Sequence, residues 1–342
     1  MRTTALALTA ILVTLSAPPA IATAAASSAK VCTIRDERLD ELSGLVAVGA
    51  GYVVVNDGSD FADRRRIFFL DASCKVTRTV RYPSRPRDTE DLGRVADGTL
   101  WVADIGDNSG SRTTVALWKL PPGARKPVLH RLSYPDGAHD AEAVLVPPDG
   151  LPVIVTKSGG TAGLYVPTAP LERGATTPLR RAGDVSVPLT STSNPFSFLG
   201  RAVITGGATS PDGRHVVLRT YSRAAVYTFP DLEAVGSWDL PAQQQGEGIA
   251  VTPEGEVLVS SEGTDAPVLS VAVPPRIERA MVAATEPASP TPSTPATPTT
   301  PRPDAPAQDA AEPPERHAWN WVVGGVVGLL ALGVLWRSLR PH

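Results

Sequence analysis

Cysteine, aromatic residues and excess charge of one sign are all scarce in this sequence. Its 342 residues include 2 Cys, and Phe, Trp and Tyr together make up 5% of the chain. Two cysteines are too few for a zinc cluster of thiolates or for a disulfide-dense miniprotein. The net charge of −3 argues against nucleic-acid binding, which usually requires a clustered basic surface.

The common catalytic motifs are also missing. The chain contains no G-x-S-x-G nucleophile elbow, no H-E-x-x-H zinc motif and no phosphate-binding P-loop. No residue is therefore assigned a catalytic role from the sequence, and catalytic residues remain unknown at this point.

The first 26 residues have the features of a secretory signal peptide. Arg2 precedes an apolar run over residues 5–17, and small residues at 22–26 provide a cleavage site. Two prolines end the apolar run too early for a membrane anchor. We expect the rest of the chain to be exported.

Residues 319–336 (WNWVVGGVVGLLALGVLW) are predicted to form one transmembrane helix. The segment is free of charge, is long enough to span a bilayer and has tryptophan at both ends. The basic tail 337–342 should be cytoplasmic by the positive-inside rule, so the globular part lies outside the cell. The span also contains one G-x-x-x-G, which either allows two helices to dimerise or arises by chance in a glycine-rich segment, at Gly324 and Gly328.

A proline- and threonine-rich linker over residues 284–317 precedes this span. Such a composition cannot bury a hydrophobic core, and it favours disorder or extended polyproline conformations. At about 3.1 Å per residue it would reach roughly 90–100 Å. We expect a spacer that holds a domain away from the membrane.

Residues 31–280 contain a repeated β unit. Short apolar strands alternate with turns rich in Gly, Asp and Pro, and the units recur at intervals of about 40–65 residues. This predicts a β-propeller of four-stranded blades, closed by an N-terminal strand at residues 31–34. Five blades are counted, and a sixth fits in the longest interval, since the units start at Ser43, Glu90, Glu142, Gly207 and Glu247.

The two cysteines are candidates for a disulfide. Cys32 falls in the predicted closing strand, and Cys74 falls at an outer hairpin turn of the first unit. An exported chain with two cysteines favours a bond between them, and two buried thiols are the alternative.

Two motifs resemble a group of secreted β-propeller proteins common in high-GC Gram-positive bacteria. Residues 87–92 (RDTEDL) and 102–108 (VADIGDN) are similar to the hallmark D-W-E-D-[IL]…G-D-I-G-D-N. The chain departs from it at Thr89, where the group usually has Trp, and at Ala103, where it has Gly. More distantly, the pattern is similar to phytase-like and senescence-marker-like propellers. The resemblance implies a propeller fold and an extracytoplasmic location.

Three glutamates are predicted to converge on the propeller axis. Glu90, Glu142 and Glu247 hold equivalent positions in the first strands of their units, and first strands line the central channel. Carboxylates that face one another need a shared proton, a cation or a metal, and oxygen ligands suit Ca²⁺. The same face should receive the second-strand ends, which supply Asp57, Asp104, Asp107, Asn108, Lys157, Arg219 and Glu262.

Two interpretations of these residues remain open. They form a ligand or Ca²⁺ site, or they are structural, with Lys157 and Arg219 neutralising carboxylates that cap turns. Two functions remain open as well. The anchor, the linker and the missing nucleophile favour a cell-surface binding or scaffold module for an extracellular ligand or protein. The alternative is a Ca²⁺-dependent extracellular hydrolase of a phosphoester or lactone.

Overall fold

A computed structural model describes residues 27–147, 150–188 and 203–285. The described chain is built from β-strands that form four-stranded antiparallel blades in sequence order. After β1 (Ser28–Thr33), the first blade contains β2 (Leu42–Val48), β3 (Gly51–Asn56), β4 (Arg66–Leu70) and β5 (Val76–Arg81). The second contains β6 (Asp91–Arg94), β7 (Leu100–Asp104), β8 (Val115–Leu120) and β9 (Val128–Ser133).

The next two blades follow the same order. The third contains β10 (Ala141–Leu145), β11 (Val153–Thr156), β12 (Thr161–Pro167) and β13 (Thr176–Ser186). The fourth contains β14 (Gly206–Thr209), β15 (His215–Arg219), β16 (Arg223–Thr228) and β17 (Ala234–Asp239). The start of β13 also pairs in parallel with β9, so the second and third blades form one continuous sheet.

The fifth blade is closed by the N-terminal strand. It contains β18 (Gly246–Val251), β19 (Val257–Ser261) and β20 (Pro267–Val271), and β1 pairs antiparallel with β20 as its outer strand. This confirms the predicted all-β propeller. The residues described contain five blades, and the long interval in the third unit holds no sixth sheet within those residues.

Neighbouring blades pack through alternate residues of their strands. In β3, Val53 and Val55 contact the second blade, whereas Val54 contacts the fifth. Successive strand residues point to opposite faces of a sheet, so one strand contributes to two cores. Each core is a buried cluster between two blades. Burying a side chain such as Val54 stabilises the folded state by about 1.5–3 kcal/mol.

Small residues let the inner strands meet at the axis. A Cβ on Gly44 of β2 would clash with the backbone of Asp91 and Leu92, and one on Gly206 of β14 would clash with the carbonyl of Glu247. Because the five inner strands converge there, the blades require glycine at these close approaches.

The disulfide between Cys32 and Cys74 is formed, as predicted. Cys32 lies in β1 of the fifth blade, and Cys74 lies in the turn between β4 and β5 of the first. The bond therefore joins the two blades at the seam where the ring closes.

One element differs from the sequence prediction. Helix α1 (Pro275–Thr285) follows the last strand, although no helix is predicted over 31–280 and the linker is predicted to start at 284. Its Ile277 is buried against Gly236 of β17. A single buried anchor in a short helix leaves little periodic signal, which is why the sequence pattern misses it.

The predicted signal peptide, most of the predicted linker, the predicted span 319–336 with Gly324 and Gly328, and the tail 337–342 lie outside the described residues. Among the residues that are described, no helix is long and apolar enough to cross a membrane.

Candidate metal centre at the axial mouth

The three predicted glutamates lie together at one end of the central channel. Glu90 directly precedes β6, Glu142 lies in β10, and Glu247 lies in β18, so each stands at the start of an inner strand. All three are buried, with 2%, 3% and 4% of their surfaces exposed. Burial raises the pKa of Glu90 and that of Glu142, and the charges of neighbouring glutamates add to it, Glu142 acting on Glu90 and Glu247 acting on Glu142.

Side-chain hydrogen bonds to neighbouring backbones hold these strand starts in place. Ser43 donates to the carbonyl of Glu90, and Thr205 donates to the carbonyl of Gly246 at 3.0 Å. Buried Asp91 accepts the N–H of Val144 at 2.9 Å, which joins β6 to β10. The positions of the glutamates therefore follow from how adjacent inner strands are connected.

Three aspartates and two of the glutamates form two carboxylate triads. Asp57, Asp88 and Glu90 place one oxygen each within 4.8 Å of one another, and so do Glu90, Asp140 and Glu142. Glu90 belongs to both triads, and Glu247 belongs to neither. Of the three aspartates, Asp57 is predicted from the sequence, because it follows the second strand of its unit.

The sequence holds a signal for the two aspartates that were not predicted. Each stands two positions before a predicted glutamate, in Asp88-Thr89-Glu90 and Asp140-Ala141-Glu142. The third glutamate has Gln245 in the corresponding position. A repeated D-x-E at the start of an inner strand therefore identifies the side chains that meet at the mouth.

Glu90 has the most unfavourable environment of the group. Its side chain makes no hydrogen bond or ion pair within the described part of the chain, although the residue is 2% exposed. Its Oε1 and a carboxylate oxygen of Asp88 occupy the space where a Cβ of Gly106 would stand. Burial, and then the charge of Glu142, raises the pKa of Glu90 well above its ordinary value.

Asp57 also has a raised pKa, of about 7, because it is half-buried and lies against Asp88. Its carboxylate shares a hydrogen bond with that of Asp88, and it accepts the N–H of Gly58. Two carboxylates in contact hold one proton between them when no cation is present.

The glutamates at the mouth have further side-chain partners. Lys157 forms an ion pair with Glu142, and Gln245 donates to Glu247 at 3.1 Å and to Glu262 at 2.7 Å. Burial, and then the charge of Glu247, raises the pKa of Glu262 to about 8. We define the axial cluster as the triad residues with these neighbours: Asp57, Asp88, Glu90, Asp140, Glu142, Lys157, Gln245, Glu247 and Glu262.

Asp104 and Asp107, predicted to line the site, instead position it. Asp104 is buried in an ion pair with Arg112 at 2.9 Å and accepts the N–H of Asp88 at 3.0 Å. Asp107 accepts the N–H groups of two residues in its own loop, and its N–H donates to Asp140 at 2.7 Å. Asp104 and Asp107 thus orient Asp88 and Asp140, one aspartate of each triad, and belong to neither triad themselves.

Asn108 and Arg219 belong to neither triad. Asn108 is exposed in the loop after Asp107. Arg219 is fully buried and donates to the carbonyls of Gly248 and Ser260 at 2.9 and 3.1 Å. Because strand-end arginines and ligand-binding arginines look alike in sequence, only these partners identify Arg219 as a residue that ties β15 to the fifth blade.

Comparisons with family models and with curated proteins found no match. Among solved structures, Myxococcus xanthus glutaminyl cyclase matches with a TM-score of 0.44 and 13% identity, covering 72% of this chain and 97% of that one. A streptogramin B lyase matches with a TM-score of 0.39 and 10% identity, covering 70% and 97%. A glucose dehydrogenase matches with a TM-score of 0.40 and 10% identity, covering 72% and 100%.

Proposed function

We propose that this chain is a membrane-anchored, extracytoplasmic β-propeller that binds Ca²⁺ in the axial cluster and presents it to an extracellular ligand. In this proposal the protein is a binding module rather than an enzyme. The signal peptide, linker and transmembrane span predicted from the sequence support the location, and the carboxylate triads support the metal.

The observation that carries the proposal is the carboxylate of Glu90. It is buried, it lacks a hydrogen-bond partner within the described residues, and it is shared by both triads. An isolated buried carboxylate is costly unless it is neutralised. A divalent cation in contact with Glu90 would neutralise several carboxylates at once. The ion pair between Lys157 and Glu142 neutralises one of them.

The donor atoms favour calcium over zinc. Both triads offer only carboxylate oxygens, with no His or Cys among their members. Ca²⁺ takes 6–8 oxygen ligands in flexible geometry, whereas Zn²⁺ prefers nitrogen and sulfur. Asp104 and Asp107 would keep Asp88 and Asp140 in place while the ion binds.

A second candidate function is hydrolysis of a phosphoester or lactone. It is favoured by one observation: the pKa of Glu142 and that of Glu262 are each raised to about 8, chiefly by burial. A carboxyl group that keeps its proton near neutral pH can act as a general acid beside a metal. Turnover of phosphoesters or lactones that needs Ca²⁺ and is lost in Glu262→Gln would establish this function instead.

The test of the metal site is calorimetric titration of Ca²⁺ into the full chain after treatment with a chelator. We expect saturable binding that weakens at least tenfold in Glu90→Gln and is unchanged in Glu254→Gln, an exposed glutamate in the turn between β18 and β19. Wild-type protein that takes up no Ca²⁺ would overturn the proposal.

The same variants separate a metal site from a structural role. If Glu90 serves metal binding, Glu90→Gln relieves repulsion among the carboxylates and melts at an equal or higher temperature in chelator. If Glu90 is structural, that variant melts lower both with and without Ca²⁺.

A further inference from the structure

We propose that a pocket beside the axial cluster binds the oxyanion of the ligand, a phosphoryl or carboxyl group, through Arg85 and Arg87. The inference rests on the proposed function, because it assigns the ligand class of the same mouth. It makes the site bipartite, with Ca²⁺ on the carboxylates and an anion on the neighbouring arginines.

The pocket has a volume of about 270 Å³ and lies between the two loops that follow β3 and β5 of the first blade. The β3–β4 loop contributes one wall and the β5–β6 loop contributes the other, with lining residues that include Gly58, Asp60, Phe61, Arg64, Arg85 and Arg87. Both loops are on the same end of the propeller as the axial cluster, because β3 ends there and β6 begins there.

The pocket and the axial cluster share a wall. Gly58 lines the pocket and directly follows Asp57, and a Cβ on Gly58 would clash with the carboxylate of Asp88. On another side, Glu41 lines the pocket and its charge contributes to the raised pKa of Glu262. A ligand in the pocket is therefore adjacent to an ion held by the first triad.

Two of the pocket's three arginines are available to a ligand. Arg64 is bound to Asp40 at 2.6 Å, and both are partly buried. Arg85 is paired with Asp60, but their side chains are 60% and 88% exposed, and such surface pairs contribute about 0–1 kcal/mol. An incoming oxyanion can therefore replace Asp60 at little cost.

Arg87 has no internal partner for its guanidinium within the described residues, and its side chain is exposed. Its main chain is nevertheless fixed, because its N–H donates to Asp104 at 3.1 Å, in the buried pair with Arg112. A planar guanidinium on an anchored backbone is suited to bidentate binding of a carboxylate or phosphate.

The apolar part of such a ligand has a surface to rest on. Phe61 is 62% exposed at the pocket, and the guanidinium of Arg64 lies 5.0 Å from the centroid of its ring. The contact with Arg64 holds the ring beside the cations. A ligand with an anionic group and an attached ring fits this combination.

The two halves of the site are coupled electrostatically. Without a metal, the carboxylates of the first triad repel an anion at the shared wall. With Ca²⁺ bound, that repulsion becomes attraction, so each ligand should raise the affinity for the other by the same factor.

The test uses phenyl phosphate and benzoate as separate probes, titrated into the full chain with and without saturating Ca²⁺. Both share a phenyl ring for Phe61, and they distinguish a phosphoryl from a carboxyl ligand. We expect one of them to bind at least tenfold tighter with Ca²⁺. Arg85→Gln and Arg87→Gln should each weaken that binding about tenfold, without lowering the Ca²⁺ affinity measured in the absence of a probe.

The matched control is Arg125→Gln, an exposed arginine in the β8–β9 turn at the opposite end of the propeller. It should bind both probes like the wild type. Ca²⁺ binding without probe binding, or probe binding that is unaffected in both arginine variants, would overturn this inference and leave the metal site standing. If the protein binds no Ca²⁺, the proposed function is wrong. If the probes still bind in that case and their binding depends on Arg85 and Arg87, the anion pocket stands without the metal site.

Discussion

Glu90 is buried and is repelled by several neighbouring carboxylates at once. Its backbone is fixed by the hydrogen bond from Ser43 and by the bond from its own N–H to Ala103, so its side chain starts from a set position among its neighbours. Burial raises the pKa of Glu90, Asp57 and Glu262 alike. In the absence of a cation, bound protons therefore reduce the repulsion among these carboxylates. Protons and Ca²⁺ therefore compete for the same oxygens.

This competition predicts how stability depends on pH. The pKa of Glu262 is about 8 in the folded chain and about 4.3 in an unfolded one. Between these values the folded state binds more protons, so stability should fall as pH rises from about 5 to 8. We expect the melting temperature in chelator to fall over this range, by about 2–4 °C for each kcal/mol lost.

The control for that measurement is Glu262→Gln, which removes one of the titrating groups and should make the fall smaller. Added Ca²⁺ should stabilise the protein more at pH 8 than at pH 5, because its ligands are then already ionised. A melting temperature that rises with pH in chelator would contradict the raised pKa values.

At the scale of elements, strand periodicity and turn residues are enough to predict the blades, because both are local properties of the chain. The starts of all five inner strands and the closing role of β1 follow from them. The carboxylate triads are predictable in part. Asp57, Glu90 and Glu142 follow from position in a blade, whereas Asp88 and Asp140 do not. The structural roles of Asp104 and Arg219 depend on contacts with Arg112, Gly248 and Ser260 that the sequence pattern does not show.

The disulfide belongs to this scale because it secures one element, the closing strand. In the chain-entropy model, the bond between Cys32 and Cys74 contributes about 4 kcal/mol. Cys32→Ser should therefore lower the melting temperature under oxidising conditions, by roughly 8–16 °C. Val31→Ser, at an exposed position next to it in β1, is the matched control and should change little. Equal melting of wild type and Cys32→Ser would remove the bond from the account of ring closure.

At the scale of the whole molecule, the ring places its functional groups by end. The inner strands begin at the carboxylate-rich mouth, and the anion pocket opens at the same end. The chain leaves the propeller through α1 after β20 has run to the other end.

The predicted topology can be tested with trypsin on intact cells that express the full chain. Trypsin cleaves after arginine but not before proline, so in the predicted linker Arg302 is protected by Pro303, whereas Arg316 is a free site next to the predicted span. Because Arg316 lies in the predicted linker and outside the hydrogen-bonded blades, we expect it to be cut first, with early release of a fragment that ends at Arg316. Arg316→Gln should abolish that release while leaving the propeller folded. Retention of the intact chain in cells whose wall admits the protease, with cleavage only after lysis, would place the globular part on the inside and would overturn the extracytoplasmic function proposed for it.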